Sequence, residues 1–378
     1  MPEHEKGEIL GLFLRLGLLG FGGPAAHIAL MEREAVERRQ WLSREQFLDL
    51  VGGCNLLPGP SSTQVAMALG YTRNGWPGLL IAGICFIVPA SLATLALAWA
   101  YVRYGHFPQA QGLLYGAKPV MVAIIAQAVW RLGRMALHGW GLGLLGAACL
   151  AAAFAGVPPA VILLLAGGLT LAFAGSRAKA GSSARGFAWF LATGGGTSSA
   201  AGMAAGLLPI ALTFLKLGVV VFGSGYVLLA FLHADLIDRL HWITEQQLLD
   251  AITAGQVTPG PVFATATFLG YLLHGWSGAV VATVAIFLPS FFLAGLVGAL
   301  AGRLRQWKLA RAFIDGVNAA AVALMAEVGF LLGKATLIDG WTWAIGLASA
   351  LLLLRFRVNA TWLIVGGAIL GMGLRGLF

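Results

Sequence analysis

The sequence predicts an all-α polytopic membrane protein built from two homologous, inverted repeats, with discontinuous or re-entrant helices at Gly/Pro breaks. Three observations carry that expectation. The composition suits only a bilayer, one set of motifs occurs twice in register, and the basic residues are distributed unevenly between the loops.

Of the 378 residues 59% are hydrophobic and 10% charged, and mean hydropathy is +0.85. A soluble domain usually carries about 25% charged residues, whereas a membrane interior demands few. The 53 glycines fit closely packed membrane helices. Met1 to Glu8 is acidic and polar, unlike the basic start of a secretory signal, so the first apolar helices are expected to direct insertion. Cys54, Cys85 and Cys149 are scattered and read as small apolar residues, with no disulfide framework or metal site. The net charge of +9 lies mostly in short loops between apolar runs. It therefore reports topology first and an attraction for anions second, and implies no nucleic-acid partner.

The repeat is explicit. Phe13-Leu-Arg-Leu-Gly17 with Phe21-Gly22 recurs as Phe214-Leu-Lys-Leu-Gly218 with Phe222-Gly223. Trp41, Asp49 and Pro58-Gly59-Pro60 pair with Trp242, Asp250 and Pro259-Gly260-Pro261 at one constant spacing. After the loss of one residue, Gly75-Trp76, Pro89 and Gly116 pair with Gly275-Trp276, Pro289 and Gly316. The units are residues 1–176 and 209–378, joined by a basic Gly/Ser/Ala-rich linker, 177–208, which is also a candidate extra span. Duplicated halves place a transporter's site near the bilayer midplane, between the repeats.

Full-length apolar spans are expected near 77–102, 119–137, 139–156 and 158–174, and near 277–300, 313–333, 340–354 and 360–376. Segments 9–30 and 187–208 fit either a crossing or a shorter element. The segment around Pro58-Gly-Pro60 cannot be one continuous helix, because two backbone donors are missing. If it enters and leaves on one face and the second half is inverted, most basic residues fall together. Arg33, Arg38, Arg39, Arg44, Arg73, Arg131, Arg134, Arg303, Lys308, Arg311 and Arg355 then share one side, while Arg103, Lys118, Arg239, Lys334 and Arg375 lie opposite. That satisfies the positive-inside rule.

A broken helix presents unpaired amides and the positive end of its dipole, a ready anion site. At the first break the expected substrate contacts are Gly22, Gly23, Asn55, Pro58, Gly59, Pro60, Ser61, Ser62, Thr63 and Gln64. At the second they are Gly223, Gln256, Thr258, Pro259, Gly260 and Pro261, followed by the far less polar Val262-Phe-Ala-Thr265. The stronger contribution is therefore expected from the first half, although the hydroxyls could instead cap a helix. Arg15 and Lys216 occupy equivalent places within apolar runs, fitting either a positive charge offered to a dianion or a snorkelling side chain. His27 fits anion binding, proton transfer or a structural role. Glu327, opposite Gln127 in the repeat, fits a proton-coupling carboxyl or a neutral acid bonded between helices. Asp49 and Asp250 are explained by a nearby helix start.

No GxxxxGK, HExxH or GxSxG is present, so no enzyme chemistry is indicated. The combination of Phe13-Leu-Arg-Leu-Gly17, Phe21-Gly-Gly-Pro24, Trp41-Leu-Ser-Arg-Glu45 and Asn55-Leu-Leu-Pro58-Gly-Pro60, with its second copy through Thr258-Pro-Gly-Pro261, resembles the chromate transporter family of the long-chain, two-domain type. The likeness covers nearly the whole chain. It implies a multi-pass protein of the bacterial inner (plasma) membrane that exports chromate and confers chromate resistance, with sulfate as a competing anion and no cofactor. A homo-oligomer is compatible with it. The alternatives are a sulfate or other oxyanion permease of the same fold, an anion channel, and, least favoured, an enzyme acting on phosphorylated lipids.

Overall fold

The computed structural model describes residues 2–21, 23–177, 205–222, 227–304, 308–356 and 358–376. Gly22, Gly223 and nearly all of the linker lie outside the described residues. In the first half, α1 spans Pro2–Leu19 and α2 Gly23–Glu32, the latter continuing as a π-turn stretch, Arg33–Arg38. Then come α3 (Arg44–Asn55), α4 (Ser61–Tyr104), α5 (Pro108–Ala136), α6 (Trp140–Phe154) and α7 (Pro159–Arg177). The second half repeats the order with α8 (Leu207–Val220), α9 (Leu228–Leu232, extended by His233–Arg239), α10 (Glu245–Val257), α11 (Thr265–Leu304), α12 (Lys308–Thr336), α13 (Gly340–Arg355) and α14 (Ala360–Gly376).

Local sequence explains where the elements start and stop. Ser43 with Gln46 and Thr244 with Gln247 form reciprocal capping boxes that open α3 and α10. Both helices end against Pro-Gly-Pro. Inside α4, Asn74 and Gly75 leave helical space, Gly75 at φ 55°, ψ −146°. His274 and Gly275 do the same in α11, with φ 59°, ψ −146° at the glycine. That region suits only glycine, so both helices are hairpins with a short inner arm (61–73; 265–273) and a long outer arm (76–104; 276–304). A Cβ on Gly70 would collide with the Gly78 backbone, and one on Gly270 with Gly278, so the arms meet glycine to glycine.

The outer arms of α4 and α11 run antiparallel. Trp76, at the start of one, covers Gly295 near the end of the other, Tyr71 covers Gly298, and Phe291 reaches Gly83. Equivalent segments running in opposite directions make the repeats inverted. The halves are also interleaved: α5 packs on α13 and α14, and α12 packs on α6 and α7. Gly112 and Gly116 of α5 meet Gly371 and Gly367 of α14, while Gly316 of α12 meets Ala166 and Thr170 of α7. Small residues let these backbones approach closely, which drives helix association where lipid supplies no hydrophobic force.

The exposed surface is apolar at helical spacing. Trp76, Leu80, Ile84, Val88 and Leu92 form one outward stripe, repeated by Trp276, Val280, Val284, Leu288 and Phe292. Four described helices are long and apolar enough to cross a membrane, and five shorter apolar helices accompany them. A bilayer is the solvent that accepts such stripes.

Arg73, at the turn of α4, pairs with Glu5 and Glu8 at the start of α1 and lies 5.8 Å over the Trp41 ring. The start of α1, the loop before α3 and the α4 turn therefore share one face. From it, two re-entrant hairpins, α1–α2 and α3 with the inner arm of α4, dip inward and return. Segment 9–30 thus does not cross; its helix breaks at Gly20, where the chain turns back. The second half sends its two hairpins from the opposite face.

Candidate functional site

All four hairpin tips converge. The Gly59 N–H donates to the Val221 carbonyl at 2.6 Å, and the Gly260 N–H donates to the Gly20 carbonyl at 2.9 Å. Pro58 and Phe222 also form an antiparallel bridge. Each Pro-Gly-Pro tip therefore closes against the first hairpin of the other half. Gly59 and Gly260 have φ +112° and +94°, values that L side chains rarely adopt.

The two tips share a backbone and differ in chemistry. Ser61, Ser62, Thr63 and Gln64 are all buried, the last two completely. Thr63 Oγ1, Gln64 Oε1 and the Ser290 hydroxyl have no hydrogen-bond partner among the described residues. The Gln64 amide donates to the Pro58 carbonyl and so straps the break. Ser290 comes from the outer arm of α11 in the other half, and its Oγ would lie 2.8 Å from a Cβ placed on Gly59. Sequence reasoning missed it, although the repeat holds a signal: the equivalent residue is Ala90. Buried polar groups are nearly always bonded, so three unsatisfied ones around a helix N-terminus single this place out as the candidate site. No capping bond is made by the Thr63 hydroxyl, which leaves it available.

At the second tip, Val262, Phe263 and Ala264 fill the equivalent space with buried apolar groups. Thr258 is satisfied, donating to the Gly255 carbonyl and sharing a 3.2 Å contact with the Thr94 hydroxyl. The Gln256 side-chain N–H group is buried with no partner among the described residues, whereas its counterpart Asn55 is exposed. Pro259 and Pro261 flank Gly260 as Pro58 and Pro60 flank Gly59.

His27 is buried beside Gly20, whose carbonyl also receives the Gly260 N–H. Its Nε2 donates to the Gly20 carbonyl at 2.8 Å, and its ring meets Phe86 edge-on at 5.3 Å. Because a carbonyl only accepts, Nε2 carries the proton, and Nδ1 is an acceptor with no partner among the described residues. Gly23 lies at the start of α2, buried, with φ +77°.

The two cations predicted within apolar runs occupy unlike settings. Lys216 bonds both carboxylate oxygens of Asp235 at 2.8 Å, and Arg239 bonds the same carboxylate at 3.0 Å. Arg15 lies on the exposed face of α1 with Leu14 and Leu18. Glu327 is half-buried in α12, within electrostatic reach of His233 and Asp238. His233 Nδ1 lies 3.0 Å from Asp238 and Nε2 lies 3.9 Å from Glu245. Gln127, the counterpart of Glu327, donates to the Leu353 carbonyl instead.

Asp250 corrects the expectation of a helix-start role. It sits inside α10 at 3% exposure, 3.1 Å from the Lys118 ammonium, and accepts a 3.0 Å hydrogen bond from the Tyr101 hydroxyl. Among the described residues no group of His, Cys, Asp and Glu is arranged to hold a metal ion.

A family model described as chromate transporter matches residues 7–172 and again 208–372. The chain is 33% identical over 378 residues to a chromate transport protein of Cupriavidus metallidurans, covering 98% of this chain and 93% of that protein. It is 31% identical over 346 residues to a chromate transport protein of Pseudomonas aeruginosa, covering 89% and 83%. An uncharacterised transporter of Bacillus subtilis, YwrA, is 34% identical over 168 residues, covering 43% of this chain and 94% of that protein. No solved structure matches.

Proposed function

The chain belongs to the chromate transporter family, and on that premise we propose that it exports chromate from the cytoplasm through the meeting point of the four hairpin tips. The observation that carries this reading is the set of buried, unsatisfied polar atoms around Gly59. A tetrahedral dianion needs several donors spread over its oxygens. The Thr63 and Ser290 hydroxyls, with Ser62 beside them, surround the N-terminus of α4, whose first amides have no acceptor within the helix. One donor set comes from each half, so a small relative movement of the halves assembles or disperses the site, as alternating access requires.

Direction follows from charge. Most basic residues lie on the face from which α1 and α3 enter, which the positive-inside rule assigns to the cytoplasm of a bacterial inner membrane. A dianion leaving an inside-negative cell gains about 4.6 kcal/mol per 100 mV, more than a thousandfold in concentration ratio. Export therefore needs no coupled ion, and it confers resistance by lowering internal chromate. Glu327 is the residue to test for proton coupling: Glu327→Gln should abolish any response of transport to an imposed pH gradient, and an unchanged response removes that role. Hydroxyl and amide donors read a tetrahedral oxyanion without separating chromate from sulfate, so sulfate is expected to compete.

The test uses inside-out vesicles and labelled chromate under an inside-positive potential. Saturable, potential-driven uptake blocked by sulfate, with KM raised in Thr63→Val, supports the reading. Accumulation of sulfate without chromate would reassign the substrate. Uptake of neither anion above that of empty membranes overturns the transport site.

A further inference from the structure

At the face opposite the proposed cytoplasmic one, a cavity of about 710 Å³ opens between the end of α4, the start of α5 and α10. Lys118 and Asp250 line it, bridged at 3.1 Å. Tyr101 lines it too and holds the second oxygen of Asp250 at 3.0 Å. Lysine and tyrosine come from the first half, the aspartate from the second. Asp250 is nearly fully buried, and Lys118 is 17% exposed, so the ammonium stands between the carboxylate and the open space. Asp250 precedes Thr258, which ends α10, by about 12 Å at ~1.5 Å per residue. The cavity thus ends a short distance from the second tip.

The repeat shows that the fold does not require this arrangement. Asp49 is retained in the other copy, but Asn318 and Ala301 stand where Lys118 and Tyr101 would be. Glu245 is a further carboxylate on the wall. An anion reaching the cavity from the tips therefore meets the Lys118 ammonium, the Tyr101 and Tyr115 phenols and the His106 imidazole, backed by the Asp250 and Glu245 carboxylates. An ammonium released from Asp250 can take up an oxyanion, while the carboxylates keep the anion's residence short.

We propose that this cavity is the outer vestibule of the anion path and that Lys118 is a second oxyanion-binding residue, exchanging Asp250 for the departing anion. The inference rests on the export reading above. It assigns Asp250 the role of keeping the outer site weak, which favours release over recapture.

The experiment measures chromate efflux and its inhibition by sulfate applied at the outer face, in right-side-out vesicles preloaded with chromate. Wild type is compared with Asp250→Asn, Lys118→Gln and the double variant, which removes the pair without leaving a buried charge alone. Asp250→Asn is expected to bind outer sulfate about tenfold more tightly, the gain of one charge-assisted hydrogen bond, and to turn over more slowly. Lys118→Gln and the double variant should lose outer-face inhibition while the KM at the cytoplasmic face stays within about twofold. If Asp250→Asn does not fold, loss of outer-face inhibition in the folded double variant still carries the inference. Equal sulfate sensitivity in wild type and the double variant, with wild type transporting, overturns it and leaves the export reading standing. Failure of wild type to move either anion overturns both.

Discussion

The two Pro-Gly-Pro tips share one backbone and hold different chemistry. Each glycine lies at positive φ, and each donates its N–H to the first hairpin of the other half. Gln64 and Ser290 lie against Gly59 and, with Thr63, carry polar atoms that have no partner among the described residues, while the space beyond Gly260 is closed by Ala90 and followed by buried Val262 and Phe263. After duplication, the shared geometry serves to lock the halves together. The proposed anion binding is then free to concentrate at one tip, because a single dianion needs only one set of donors.

Exchanging the tetrapeptides breaks the comparison most severely. Replacing Ser61-Ser62-Thr63-Gln64 by Val-Phe-Ala-Thr should lower chromate kcat/KM by a hundredfold or more, at about 1–1.5 kcal/mol for each donor lost. The reciprocal replacement at 262–265 should leave the anion site intact and instead destabilise the protein, because removing the buried Phe263 ring alone costs roughly 3–5 kcal/mol. Transport assays and thermal unfolding in detergent separate the two outcomes.

Next come the glycines. A Cβ on Gly260 would stand 2.6 Å from Ala90 Cβ, whereas one on Gly59 would meet only the movable ends of Gln64 and Ser290. Gly260→Ala should therefore cost about 2–3 kcal/mol of stability through strain and overpacking, with partial rescue by Ala90→Gly. Gly59→Ala should fold better and transport worse. The reverse ranking in a thermal-shift series would contradict this geometry.

Ser290→Ala tests the cross-half donor. It should raise chromate KM about five- to tenfold with little change in stability, the loss of one hydrogen bond. Ala90→Ser should leave KM unchanged.

The smallest effect lies at equivalent helix starts away from the Pro-Gly-Pro tips. Asp339 caps α13, accepting from the Thr342 N–H at 2.8 Å and from the Tyr115 hydroxyl, whereas Gly139 opens α6 with no side-chain cap. These two donors, the Thr342 amide first, hold the Asp339 carboxyl below its ordinary range. Its folded pKa being depressed, the cap contributes fully above the ordinary aspartate value of about 3.9 and is lost as pH falls through the lowered one. Asp339→Ala should cost about 1 kcal/mol at neutral pH, a difference from wild type that shrinks when unfolding is followed into strong acid.

Much of the fold was legible because the relevant signals are local. Outer arms at 76–104 and 276–304 follow the expected spans closely, since apolar length and a Gly-Trp boundary mark them within a few residues. The breaks were legible because proline lacks a donor wherever it sits. The candidate site was legible only within one stretch of sequence: Ser61 to Gln64 stood out, while Ser290 did not, because its place against Gly59 exists only in the fold. Lys216 shows why a residue type alone does not settle a setting. A lysine in an apolar run fits either an anion ligand or a snorkelling cation, and only the fold pairs it at 2.8 Å with Asp235, on the returning arm of the same hairpin.

By itself the sequence determined the bilayer as solvent, the duplication, the positions of the breaks and, through its basic residues, the inversion of the halves. Each is set by composition or by the backbone chemistry of a few adjacent residues. Only the tertiary structure decided that the tips close across the two halves, that Ser290 completes the polar set, and that Lys118 meets Asp250. Those contacts join residues far apart in the chain, and their energy exists only once packing has removed water and brought the two repeats face to face.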